Sequence, residues 1–124
     1  MNTKFNIFSI LISCILFLSI QSCKEVVDPE LTTGGVGLIT STTAQSGGTV
    51  DTDGGAKITA RGVCVDTTIT PDLGDIVTSD GKGLGTFTSS ISGLKPNTKY
   101  YVRAYASNKQ GTGYGSAMVF TTQP

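Results

Sequence analysis

The chain has 124 residues, with nine Lys and Arg against nine Asp and Glu, so its formal net charge is zero. That length holds one domain at most beyond a targeting segment, and the balanced charge offers no basic patch for a phosphate backbone, which excludes nucleic acid as a partner. There is no His and no Trp; without His the commonest general base and metal ligand are missing together, so neither catalysis nor a metal or other cofactor is expected.

Residues 1–22 read as a signal segment. Lys4 gives a short positive start, and Phe5 to Ile20 is an apolar run interrupted by Asn6, Ser9, Ser13, Cys14 and Ser19. The run falls short of the roughly 20 apolar residues that a spanning helix needs. A small residue, Ser22, precedes Cys23 as at a cleavage site. Ile20-Gln21-Ser22-Cys23 resembles a bacterial lipobox: aliphatic, variable, small, then Cys. The resemblance implies that Cys23 takes a diacylglycerol on its thiol, that the leader is cut before it, and that the new amine is acylated. Leu11-Ile12-Ser13-Cys14 fits the same pattern, but a cut there leaves too little apolar run ahead of it. An ordinary signal peptide and an uncleaved anchor are the competing readings.

Each buried CH₂ contributes about 0.8 kcal/mol, and stable anchoring takes more than one chain. Acyl chains on Cys23 would therefore hold the protein on a membrane without a spanning helix. Lys24 and Glu25 resemble the start of the surface-export signal of Bacteroidetes-type lipoproteins, from which Val26 and Val27 depart. The resemblance implies export to the outer membrane of a Gram-negative bacterium, with either a surface or a periplasmic face.

Residues 23–33 read as the lipidated Cys and a flexible tether, polar and without period around Pro29. The domain is expected over 34–122. Gly37 to Thr40 is its first predicted strand and Ala44 to Val50 its second, with Gly47-Gly48 marking a bulge or a close backbone approach. Asp51 to Gly55 reads as a hairpin turn. Lys57 to Asp66 is the third strand, with Ile58, Val63, Cys64 and Val65 apolar. Alternation fails across Gly62, so either Gly62 is a bulge or both faces are covered near Cys64.

Asp75 to Thr78 follows as a short edge strand, after a loop containing Pro71. A turn-rich connection then leads into Thr86 to Ser92, which alternates with Phe87 and Ile91 on one face. Gly93 to Ala106 is a turn running into the best strand. There Tyr100, Val102, Ala104 and Ala106 share one face, and Tyr101, Arg103 and Tyr105 the other. Asn108 to Gly113 is a loop, and Tyr114 to Thr122 closes the set. About seven short strands with turn signals roughly every 8–12 residues, and no sustained helical period after the leader, predict an all-β, Ig-like sandwich of antiparallel strands.

Leu94-x-Pro96-x-Thr98-x-Tyr100-x-Val102-Arg103-Ala104-Tyr105 closely resembles the corner and following strand of fibronectin type III domains. Ala60-Arg61-Gly62-Val63-Cys64 and Val119-Phe120-Thr121-Thr122 resemble the variant found in Bacteroidetes-type surface lipoproteins. The match runs from about Gly37 to Thr122. It implies that Tyr100 is a tyrosine-corner residue, its hydroxyl bonded to backbone a few residues upstream, with Leu94 and Pro96 as further fold determinants. It also implies a non-catalytic scaffold. The core Trp usual in that family is absent, and Val65 stands where the lipoprotein variant often carries one.

Few constellations carry chemistry. Cys64, the cysteine left once Cys14 is removed and Cys23 acylated, reads as a small buried hydrophobe. Asp51-x-Asp53-Gly54-Gly55 opens like a Ca²⁺ loop, but Lys57 and Ile58 follow where oxygen ligands are needed, and a turn is the better reading. Asp72, Asp75 and Asp80 read as scattered surface carboxylates, and Gly81-x-Gly83-x-Gly85, with no helix after it, as a flexible turn. Tyr101, Arg103 and Tyr105 read either as solvent-side packing or as a contact surface for a glycan or protein. The expected function is a non-catalytic envelope lipoprotein whose domain serves adhesion, interaction or spacing. The alternatives are a glycan-binding accessory lipoprotein and the N-terminal part of a longer surface protein.

Overall fold

Period-two patterning becomes eight strands in a computed structural model that describes residues 25–124. They are β1 (Glu30–Thr33), β2 (Ala44–Thr52), β3 (Ala60–Asp66), β4 (Ile76–Val77), β5 (Gly85–Ile91), β6 (Lys99–Ser107), β7 (Thr112–Tyr114) and β8 (Met118–Thr121). One sheet has the order β1-β2-β5. The other runs β4-β3-β6, with β7 and β8 in succession along the far edge of β6. Every pairing is antiparallel. The expected closing strand is thus broken between Tyr114 and Met118, although Gly115 N–H still bonds Ala104 C=O at 2.9 Å.

The two inner faces make the core. Ala44 and Val50 of β2 and Phe87 and Ile91 of β5 meet Val63 and Val65 of β3, Tyr100, Val102, Ala104 and Ala106 of β6, and Phe120 of β8. Full burial of each Val, Ile or Phe contributes about 1.5–3 kcal/mol. The β2–β5 register is unbroken, so Gly47-Gly48 is no bulge there. It is a close approach: a Cβ on Gly48 would stand 2.7 Å from the Ala104 Cβ and 2.7 Å from the Thr32 carbonyl oxygen. The arrangement is an Ig-like, fibronectin type III-like antiparallel β-sandwich.

Two expectations at the start of the domain need correction. The tether predicted to reach Thr33 contains β1, whose Leu31 and Thr33 pair with Val50 and Gly48. Thr33 also crosses to the other sheet, where its hydroxyl accepts a 3.0 Å bond from Ala104 N–H. That amide lies where β7 gives way to β8, so Thr33 supplies a partner that the broken edge does not. Upstream, Val27 N–H bonds Gly54 C=O at 2.9 Å, so the fold already includes residues well before 34.

The strand predicted over Gly37 to Thr40 is instead an irregular link with a single bridge, Gly37 to Gln45. Leu38 has φ of +47°, and the Thr40 hydroxyl accepts from the N–H groups of Thr42 and Thr43 at 3.2 and 2.9 Å. A side chain that bonds its own backbone competes with a ladder.

Later expectations also shift. β2 and β3 lie in different sheets, so the turn expected over Asp51 to Gly55 is not a hairpin; Asp51 and Thr52 still belong to β2, and residues 53–59 make an inter-sheet connection. Asp53 Oδ1 closes it by accepting from Gly55 N–H at 2.9 Å. The β3–β6 register is continuous from Ala60 to Asp66, which removes the bulge reading of Gly62. Val63, Cys64 and Val65 are all 0 % exposed. Both faces of β3 are covered, and the cover on the outer face forms the site described next.

Candidate functional site

Odd-numbered residues of β6 turn away from the core. β3 sets Cys64 opposite Arg103 and Gly62 opposite Tyr105, and β7 sets Tyr114 opposite Tyr105. The 67–75 connection folds back over this outer face. Arg103 holds it: Nε and Nη2 donate to the Pro71 carbonyl at 2.9 and 2.5 Å. The same guanidinium lies 4.1 Å from the Tyr114 ring centre, within cation–π range. Pro71 is fully buried. Tyr105 is buried as well, and its hydroxyl donates to the Thr78 carbonyl at 2.6 Å.

Beneath this cover, burial pushes the Cys64 thiol up to about 12, outweighing the opposite pull of the Arg103 guanidinium. Its reactive thiolate form is therefore strongly disfavoured. Burial also raises the Tyr105 and Tyr114 hydroxyls, which keep their protons.

The predicted stripe is thereby divided. Arg103 and Tyr105 serve the protein's own backbone and do not join Tyr101 as one exposed aromatic surface. Tyr101 is half-buried at the start of β6, with the Lys99 ammonium 5.4 Å from its ring centre and Val119, exposed, paired beside it. Cys23, the predicted lipidation site, lies outside the described residues.

The corner residues hold the turn between β5 and β6. Lys95 N–H donates to the Tyr100 hydroxyl oxygen at 2.9 Å, and the Tyr100 ring stacks on Phe120 with centroids 5.7 Å apart. Thr122 joins them, its hydroxyl donating to Lys95 C=O at 2.5 Å and accepting from Thr98 N–H at 2.9 Å. Leu94 is buried, and Pro96 is exposed with its carbonyl accepting from the Thr98 hydroxyl at 2.9 Å. Tyr100→Phe leaves Lys95 N–H without this acceptor in a partly buried place and should cost about 1–3 kcal/mol. Thermal melting checks this; an unchanged midpoint would remove the hydroxyl from the list of corner determinants.

Two side chains missed in the sequence, Arg61 and Asn108, and one read there as a scattered surface carboxylate, Asp80, complete the picture. Arg61 donates from Nε to Asp80 C=O at 2.9 Å and from Nη1 to Gly83 and Leu84 C=O at 3.1 and 3.0 Å, with its guanidinium 5.3 Å from the Phe87 ring centre. The glycine-rich connection, predicted flexible, is wrapped around this cation. Asp80 accepts from the hydroxyls of Thr78, at 2.8 Å, and Ser89. The signal was legible: Arg61 shares the inward phase of Val63 and Val65, and a charge there requires dedicated partners.

Asn108 is the third. Its Nδ2 donates to Val27 and Asp53 C=O, both at 2.8 Å, while Oδ1 accepts from Gln110 and Gly111 N–H at 2.8 and 3.2 Å. The remaining loop carboxylates close their own turn, Asp72 accepting from Gly74 N–H and Asp75 from Asp72 N–H. Among the described residues no group of three His, Cys, Asp or Glu is placed to hold a metal.

Solved structures share this fold. The sensor domain of the anti-sigma factor RsgI4 in Pseudobacteroides cellulosolvens is 19% identical, with 80% of this chain and 98% of that one covered and a TM-score of 0.57. A crystal structure of domains from titin is 23% identical, covers 81% of this chain and 33% of that one, and gives a TM-score of 0.56. A solution structure of the same RsgI4 sensor domain gives 0.51 at 19% identity over 77% of this chain and 75% of that one. No family model matches the chain, and no curated protein matches it.

Proposed function

We propose that the protein is a non-catalytic lipoprotein of the cell envelope, anchored to the outer membrane through Cys23, whose fibronectin type III-like sandwich serves adhesion, protein interaction or spacing. The observation that carries this reading is the employment of the chemistry-bearing side chains. Arg61, Arg103, Tyr105, Asp80 and Asn108 are engaged with the protein's own backbone or hydroxyls, and Cys64 is sealed beneath a loop. Such residues build a firm module and leave its exposed outer surface, with Tyr101 and Val119, for contact. The glycan-binding alternative loses Tyr105 and Arg103 to the covering loop and is the weaker reading. A sensor domain and titin domains use the same architecture, which is compatible with an interaction module.

Anchoring has a direct test. Cells expressing the full chain with a palmitate analogue should yield labelled protein, and Cys23→Ala should abolish the label. Labelling that survives this substitution would overturn Cys23 as the anchor.

A further inference from the structure

We propose that one end of the sandwich, built from the β2–β3 turn and the β6–β7 turn, is a seat for the lipid headgroup surface, and that the opposite end, carrying the Gly93–Asn97 corner, projects away from the membrane. The proposal rests on lipidation of Cys23 and goes on to say how the domain sits once anchored.

The argument begins at Asn108. Its amide ties Val27 C=O to Asp53 C=O, and Val27 N–H bonds Gly54 C=O. The N-terminal segment is therefore docked on this end of the sandwich at Val27, four residues after Cys23. Four residues span at most about 14 Å when fully extended. A headgroup layer alone is about 5–7 Å thick. About half of that reach, roughly 7–9 Å, remains outside the layer, so an acylated Cys23 keeps the turns within that distance of the headgroups.

The other end is out of reach for the same link. β6 runs nine residues from Lys99 to Ser107, about 27 Å, and so separates the corner from Asn108 by more than the link can span. The corner end is closed by its own bonds, Leu94 N–H to Thr42 C=O at 3.0 Å and Asn97 N–H to Gln123 C=O at 2.9 Å. Val27, Lys57, Lys109 and Gln110 are exposed on the near end. Glu25 and Asp28 are exposed there too and Asp53 is partly exposed in the β2–β3 turn, so the acids more than match the two lysines and the contact is set by the short link and not by net charge. It should persist at high salt, where a purely electrostatic contact is screened.

The test uses the full, lipidated chain in phosphatidylcholine vesicles containing a headgroup nitroxide lipid. An environment-sensitive fluorophore is placed at Lys109→Cys or Lys95→Cys; Cys64 is buried and an acylated Cys23 has no thiol to react. Quenching at position 109 should exceed that at 95 several-fold, with little change at high salt. Flotation of the vesicles reads the anchor separately. Protein that fails to float overturns the anchoring reading. Protein that floats with weak quenching at 109, or with equally strong quenching at both positions, overturns the seating. A Gly/Ser insert of about 12 residues between Lys24 and Glu25, with a reach on the order of 20 Å, should reduce quenching at 109 and leave flotation intact. Undiminished quenching there would show that the short link does not set the contact.

Discussion

Gly62→Ala should cost about 3 kcal/mol, lowering the melting temperature by roughly 12–24 °C in a domain of this size. A Cβ at this position would collide with the Thr78 carbonyl oxygen and stand 2.8 Å from both the Thr78 carbonyl carbon and its Oγ1. Thr78 has no easy way to retreat. Its N–H bonds Val63 C=O at 2.9 Å, its hydroxyl oxygen accepts from Val63 N–H at 2.8 Å, and its carbonyl accepts from the Tyr105 hydroxyl at 2.6 Å. Moving it therefore loosens β4, the Tyr105 bond and the Asp80 network together.

The same shift should unseal Cys64. Its thiol should react faster with a disulfide reagent in Gly62→Ala than in the parent protein, which links the stability loss to the outer-face cover. Gly37→Ala is the control, since a Cβ there meets nothing within 4 Å. Equal melting temperatures for Gly62→Ala and the parent would show that the 67–78 segment is not pressed onto β3 as described.

The two strands with clean alternation, β5 and β6, were legible because period two reports which side chains share a face, and burial of one face enforces it. The corner was legible because Leu94, Pro96 and Tyr100 act within a few residues of each other. β1 was not. Its four residues include one aliphatic side chain, Leu31, and it is held by partners far along the chain: β2, and Ala104 N–H through the Thr33 hydroxyl. Residues 37–40 misled in the opposite sense, since the Thr40 hydroxyl overrides a weak strand propensity.

The candidate site was half legible for a related reason. Alternation places Tyr101, Arg103 and Tyr105 on the outer face, but it is silent on what folds over that face. The cover is set by Arg103 reaching Pro71, 32 residues away, and Tyr105 reaching Thr78, 27 residues away. Failure of alternation at Val63-Cys64-Val65 was the one local sign of it: a strand apolar on both sides needs cover on both sides.

Asn108→Ala should cost about 2–4 kcal/mol, comparable to Gly62→Ala. It removes donors from Val27 and Asp53 C=O and an acceptor from Gln110 and Gly111 N–H, and partly buried groups left unpaired cost about 1–3 kcal/mol each where water cannot replace the partner. Asn108→Asp separates the two halves of this role. A carboxylate still accepts from Gln110 and Gly111 N–H but repels the two carbonyls, so the β6–β7 turn should survive while Val27 is released. Amide hydrogen exchange is the measurement. In Asn108→Asp, Val27 N–H should exchange much faster, with Val102 N–H in β6 protected as in the parent. Protection at Val27 that survives both substitutions would mean that its bond to Gly54 suffices without Asn108. Release of Val27 would lengthen the link to Cys23, so the proposed seat at the headgroups adds a second readout: quenching at position 109 in the nitroxide vesicles should be weaker in Asn108→Asp than in the parent.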